Sequence, residues 1–175
     1  MDYVKEPQVL VNAIFTEIEK AKLDYEKSTA WTVAVKRAIH NLIQCEVTDV
    51  IFTRPEENVS EFMLDIVAWN REDGEGIVLA VECEWLLAPS EIVKDFEKLL
   101  VTKSATKLMI FASSGIKSQR RIKEALEKSF RSYKHHVVGE RYIFMDFAKH
   151  PNRAAYWFEV NKNGCLTSLP EIHRI

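Results

Sequence analysis

A chain of 175 residues is long enough to bury a sizeable core and short enough for one unit, so residues 1–175 are expected to form a single domain. With 47% hydrophobic and 29% charged residues, the composition excludes an intrinsically disordered chain. The net charge of -2 conceals an asymmetry: residues 1–91 hold 8 Lys/Arg against 18 Asp/Glu, and residues 92–175 hold 16 against 8. An acidic half suits a cation and a basic half a polyanion, unless the halves interleave in space and pair.

No apolar run approaches the ~20 residues of a membrane span, and the start, Met1 to Glu6, lacks the order of a signal peptide. Cys45, Cys83 and Cys165 are odd in number and widely spaced, which fits neither a disulfide framework nor a zinc site. The expected setting is the cytoplasm, with no membrane partner.

In chain order, Leu10, Ile14, Ile18 and Ala21 recur at helical spacing and predict a helix over 6–23. Thr29 is placed to cap a second helix reaching Ile43, with Trp31, Val35, Ala38, Ile39 and Leu42 as its apolar stripe. Residues 47–53 are a candidate strand. Glu61–Trp69 and Ile77–Trp85 are stronger ones, joined by the turn-forming Asp73-Gly74-Glu75-Gly76, and predict an antiparallel hairpin. Ser90 is expected to cap a helix over 91–102. Lys107–Ala112 reads as a buried strand reached by a parallel crossover, and Lys117–Lys134 as a basic amphipathic helix. Tyr142–Phe147 and Ala155–Val160 are the last expected strands, followed by a turn at Asn161–Gly164. The fold class is α/β, a mixed central sheet flanked by helices.

Three acids interrupt the apolar strands. Asp65 stands within Phe62–Ala68, and Glu82 and Glu84 stand within Ile77–Trp85. A buried carboxylate costs several kcal/mol unless it is paired, protonated or bound to a cation. Alternation puts Glu82 and Glu84 on one face, and folding the hairpin about residue 73 brings Asp65 opposite 81 or 82. Like charges opposite one another destabilise a sheet. Oxygen ligands gathered in this way suit Mg²⁺ or Mn²⁺. The alternative is a set of strand-end acids in water, or acids paired with Lys94, Lys98 or Arg71.

Asp65, then Glu82-Cys83-Glu84 after a hairpin, then the helix containing DFEKLL and the strand KLMIF, resembles the PD-(D/E)XK, restriction-endonuclease-like nuclease superfamily over residues 6–112. The resemblance implies an α-β-β-β-α-β core and metal-dependent hydrolysis of nucleic-acid phosphodiester bonds. It makes Asp65, Glu82 and the backbone carbonyl of Cys83 ligands of Mg²⁺ or Mn²⁺. Some members add a glutamate from the first helix, a position that falls on Glu17. The sequence departs from the pattern in two places: Leu64 stands where Pro is usual, and Glu84 replaces the motif lysine. Glu84 itself, or Lys94 or Lys98 from the following helix, is expected to handle the attacking water. The second reading is a nuclease fold without catalysis, binding nucleic acid or a protein partner.

The implied partner is nucleic acid, DNA in the first instance, and cleavage of both strands of a duplex would favour a homodimer. Lys117, Arg120, Arg121 and Lys123 crowd the start of the fourth predicted helix, the wrong end to complement its dipole. They are the candidates for phosphate contacts. Trp69 and Trp85, at the strand ends, read as base-stacking or packed residues, Cys83 as core, and Ser113-Ser114-Gly115 as a strand-to-helix loop without the ending of a P-loop.

Overall fold

A computed structural model of the chain describes residues 6–21, 28–44, 63–70, 76–147, 153–163 and 166–174. Two helices come first, α1 (Pro7–Ala21) and α2 (Ser28–Gln44), followed by the antiparallel strands β1 (Ile66–Asn70) and β2 (Gly76–Glu84). Helix α3 (Pro89–Val101) leads to β3 (Ser104–Phe111), and α4 (Ile116–Ser132) leads to β4 (Arg141–Asp146). Strands β5 (Ala154–Val160) and β6 (Leu166–Arg174) complete a six-stranded sheet in the order β1-β2-β3-β4-β5-β6.

The sheet is mixed. Strands β2, β3 and β4 run parallel, because helices link them in turn, and the remaining pairs are antiparallel. A parallel core covered on both faces explains why Leu108–Phe111 is an unbroken buried run. Odd positions of β2 (Leu79, Val81) and even positions of β3 (Leu108, Ile110) pack under α1 and α2 with Ile14 and Val35. Ala80, Met109 and Phe111 face the other way, under α3 and α4, with Phe96 and Leu126. Among the described residues, no helix is long and apolar enough to cross a membrane.

Several expectations change in detail. The strand expected from Glu61 begins only at Ile66, because residues 63–65 bend and Met63 takes a positive φ of 53°. Ser90 does not cap α3: Ala88 holds the cap position without a side-chain bond, and Pro89 starts the helix. Pro at the first helical position lacks only an N–H that would be unsatisfied there. Strand β6 was not expected, since LTSLPEIHR contains a proline and a weak alternation. The candidate strand at 47–53 lies outside the described residues, as do residues 71–75 of the hairpin turn, Cys45 and Cys165.

Candidate active site

Asp65, Glu82 and Lys98 meet near the C-terminal ends of the parallel strands, the usual place for ligands in such sheets. Ile66 pairs with Val81, so the register continues Asp65 to the level of Glu82. Asp65 lies in the bend before β1, not in the ladder, and its Oδ2 accepts the Cys83 amide at 2.7 Å. The N–H and C=O of a strand residue point to the same neighbour, so the Cys83 carbonyl also faces the side of Asp65. The Cys83 side chain turns away to pack against the core beneath α1 and α2. Burial, reinforced by the charges of Asp65 and Glu82, raises its thiol well above the ordinary range, which makes it a poor nucleophile.

Glu82 is only 3% exposed. Burial, and next the charge of Asp65, push its carboxyl up to about 8, against a downward pull from Lys98. The Lys98 ammonium stands 3.4 Å from Glu82 Oε1 and 2.7 Å from Asp95 Oδ1. Glu82 Oε1 is buried and receives no aligned hydrogen bond among the described residues, so the contact with Lys98 is an ion pair of poor hydrogen-bond geometry. Partial burial opposes the Lys98 charge, but Asp95 and Glu82 outweigh it, and its pKa rises above the usual lysine value.

Of the two lysines expected from this helix, only Lys98 reaches the acids. Lys94, one turn earlier, is 65% exposed and pairs with Glu91 at 2.7 Å. Glu84 is also diverted: its Oε1 accepts the Leu86 amide at 2.6 Å and holds the loop after β2. Burial raises the Glu84 pKa, and the neighbouring Asp95 carboxylate adds to the rise. Glu17 is not brought to this group. It pairs with Lys20 at 3.0 Å on α1, which packs on the opposite face of the sheet.

Asp95 is the site residue that sequence reasoning missed. It lies three residues before Lys98, the helical spacing of an ion pair, and that spacing was a legible signal. Glu82 and Asp95 thus meet at one ammonium group, with Asp65 close to Glu82 and Glu84 close to Asp95, so carboxyl groups outnumber cations here. A hard divalent cation suits these donors: the carboxylates of Asp65 and Glu82, the latter with a buried oxygen that receives no hydrogen bond among the described residues, and the backbone carbonyl of Cys83. Protein side chains alone do not complete its shell, because among the described residues no three His, Cys, Asp or Glu side chains gather closely enough to hold a metal ion.

Lys117, Arg120, Arg121 and Lys123 are all exposed. The start of α4 follows the C-terminal end of β3, whose Phe111 is level with Glu84, so the cations begin at the same end of the sheet as the acids. Arg120 pairs with Glu124 at 2.8 Å, and Lys123 lies 5.8 Å from the centre of the Tyr156 ring. The β3–α4 loop is pinned by Asp146, fully buried at the end of β4. Asp146 accepts the Ser113 amide at 3.0 Å, the Ser113 hydroxyl at 2.8 Å and the Gln119 side-chain amide at 2.9 Å. Gly115 caps α4 at φ 148°, a conformation that a side chain would strain.

Trp85 is a packed strand end: it lies 5.3 Å from Trp31, centre to centre, and its indole N–H donates to Thr32 at 2.9 Å. Trp69 stays 43% exposed. His136 has a structural place, stacked 3.8 Å from Phe130.

Towards the other end of the parallel strands lies a buried ionic network that no sequence pattern announced. Lys107, 1% exposed, contacts Glu140 at 3.0 Å and donates to the Tyr142 hydroxyl at 3.0 Å, while that hydroxyl donates to Glu140 Oε2 at 3.0 Å. Burial lowers the Lys107 pKa and raises that of Tyr142. No family model, curated protein or solved structure matches the chain.

Proposed function

We propose that the protein is a divalent-metal-dependent nuclease of the PD-(D/E)XK kind, in which Lys98 on α3 takes the place of the missing motif lysine. The observation that carries this reading is the Lys98 ammonium 3.4 Å from a buried Glu82, beside Asp65. The order helix, hairpin, helix, parallel strand supports the same core.

Asp65, Glu82 and the Cys83 carbonyl would hold Mg²⁺ or Mn²⁺, with water and substrate phosphate oxygens completing the shell. When bound, the cation supplies a water of lowered pKa and offsets charge on the phosphate. Asp65 is fixed by the Cys83 amide, which leaves its position independent of substrate. Asp95 anchors Lys98, so the ammonium is held where it can orient the attacking water or meet developing phosphate charge. Lys117, Arg120 and Arg121 would take the nucleic-acid backbone beside the acids.

The test is cleavage of labelled single-stranded and duplex DNA with Mg²⁺ or Mn²⁺, against EDTA. Lys98→Ala is expected to lower the rate about 10²–10⁴-fold, the range for a positioned proton-handling group, and Lys94→Ala to leave it near wild type. Equal loss in both variants, or cleavage that survives EDTA, contradicts the assignment. The second reading, a non-catalytic nuclease fold, is favoured by one observation: Lys98 itself occupies the approach to Glu82 as an ion pair. Wild-type protein that binds DNA and never cuts it with either cation supports that alternative.

A further inference from the structure

Four large apolar side chains stand in solvent at the end of the sheet where the acids lie. Met63 is 63% exposed, Leu86 62%, Leu87 49% and Ile116 68%. Met63 precedes Asp65, Leu86 and Leu87 follow β2, and Ile116 opens α4, so topology brings them to one rim. The loop that carries the leucines is anchored where it leaves β2. Glu84 holds the Leu86 amide at 2.6 Å, and Trp85 packs against Trp31. The leucines therefore project from a fixed base. Met63 takes a positive φ of 53°, a backbone conformation that a bulky residue rarely adopts. Residues held in such conformations cluster at functional surfaces.

Apolar groups interleave here with cations: Ile116 is followed directly by Lys117, then by Arg120 and Arg121 within the first two turns of α4. A duplex presents sugars and phosphates, which the cations match, but its base faces are stacked and reaching them with apolar side chains carries the cost of unstacking. An unpaired strand already offers base faces together with its phosphates, and matches both cations and apolar groups.

We infer that the rim of Leu86, Leu87, Ile116 and Met63 receives unstacked bases, so that the protein takes single-stranded or frayed nucleic acid in preference to intact duplex. The inference rests on the nucleic-acid reading of the adjacent acid site and names its substrate class. Bases pack on the leucines and Ile116, the phosphates run along the start of α4, and the backbone passes the Asp65–Glu82 group.

The experiment measures binding of a fluorescein-labelled mixed-sequence DNA strand and of its duplex, in EDTA, by anisotropy. It uses the full chain and a variant carrying Leu86→Ser, Leu87→Ser and Ile116→Ser. All three positions are exposed, and a matching circular dichroism melt verifies the fold. The expected result is at least a tenfold preference of the wild type for the single strand. The variant should bind the single strand about tenfold or more weakly, equivalent to roughly 1.4 kcal/mol of base packing, and keep a salt-dependent remainder. Equal binding of strand and duplex by the wild type, or an unchanged preference in the variant, overturns the rim inference alone, and metal-dependent cleavage then still tests the nuclease reading. Wild type that binds neither form in EDTA likewise overturns the rim inference, and cleavage with Mg²⁺ or Mn²⁺ decides the nuclease reading separately.

Discussion

At the scale of single residues, the central question is why Glu82 is tolerated. A carboxylate buried to 3% exposure beside Asp65 is unfavourable when charged, and its pKa rises from 4.5 to about 8. As pH rises, the unfolded chain therefore releases this proton before the folded protein does. The stabilising contribution of that proton is fully present below pH 4.5 and is lost as pH rises through about 8. In the absence of added cation, thermal melts should show wild-type stability falling across this window, by on the order of 1 kcal/mol per pH unit at most. Glu82→Gln should flatten the slope. A wild-type profile as flat as that of the variant contradicts the burial of a proton-binding Glu82.

The acids themselves were legible in the sequence, because charge inside an apolar strand is costly and therefore conspicuous. The choice between Lys94 and Lys98 was not. Both lie on the same helix one turn apart, and only the packing of α3 over β2 and the Asp95 partner separate them. Glu84 looked like a member of the acid group by alternation, but its carboxylate also serves its own loop, a local bond that a period-two pattern does not reveal. The Glu17 expectation failed for a different reason. Helical periodicity places it beside the apolar stripe of α1, and only the assembled layers put that helix on the far face of the sheet.

At the scale of elements, the helices and parallel strands follow from period and length, and their ends from backbone chemistry. Pro89 begins α3, Gly115 precedes α4, and the start of β1 is delayed by the bend at Met63. Sequence reasoning missed the Lys107–Glu140–Tyr142 network, because Lys107 stood at the edge of an apolar run and its partners lie more than thirty residues away. Removing one member of a buried pair leaves the other uncompensated, which costs about 3–5 kcal/mol. Lys107→Met should lower stability in urea by that amount. The double variant with Glu140→Leu should recover much of the deficit, since apolar replacement of a whole buried pair is often neutral. A fully additive double variant would show that the two groups do not interact.

For α4, Lys117→Gln with Arg121→Gln should weaken DNA binding uniformly across sequences. It should reduce the slope of log affinity against log salt by about 1 for each phosphate no longer neutralised. Unchanged salt dependence would remove this helix from the interface. The two charges are exposed, so stability should change by no more than about 0.5 kcal/mol.

At the scale of the molecule, the two covered faces divide the labour. Helices α1 and α2 bury one side of the sheet with the aromatic group of Phe15, Trp31, Trp85 and Phe147. Helices α3 and α4 bury the other, and also bring Asp95, Lys98 and the basic start of α4 to the working end. The charge asymmetry along the chain takes on a spatial meaning in this arrangement. Acids from the first half, beside β1 and on β2, meet cations from the second half at one end of the sheet, so part of the asymmetry pairs and part remains as a site with an excess of carboxylates.

The deciding measurement is calorimetric titration of Mn²⁺ and Mg²⁺ into the wild type, Asp65→Ala with Glu82→Ala, and Lys94→Ala. A short phosphorothioate DNA strand is included to supply phosphate oxygens to the cation. One site per chain is expected in the wild type and in Lys94→Ala, and none in the double variant. Equal binding in the double variant, or none in the wild type even with the DNA present, would contradict a cation site built on Asp65 and Glu82.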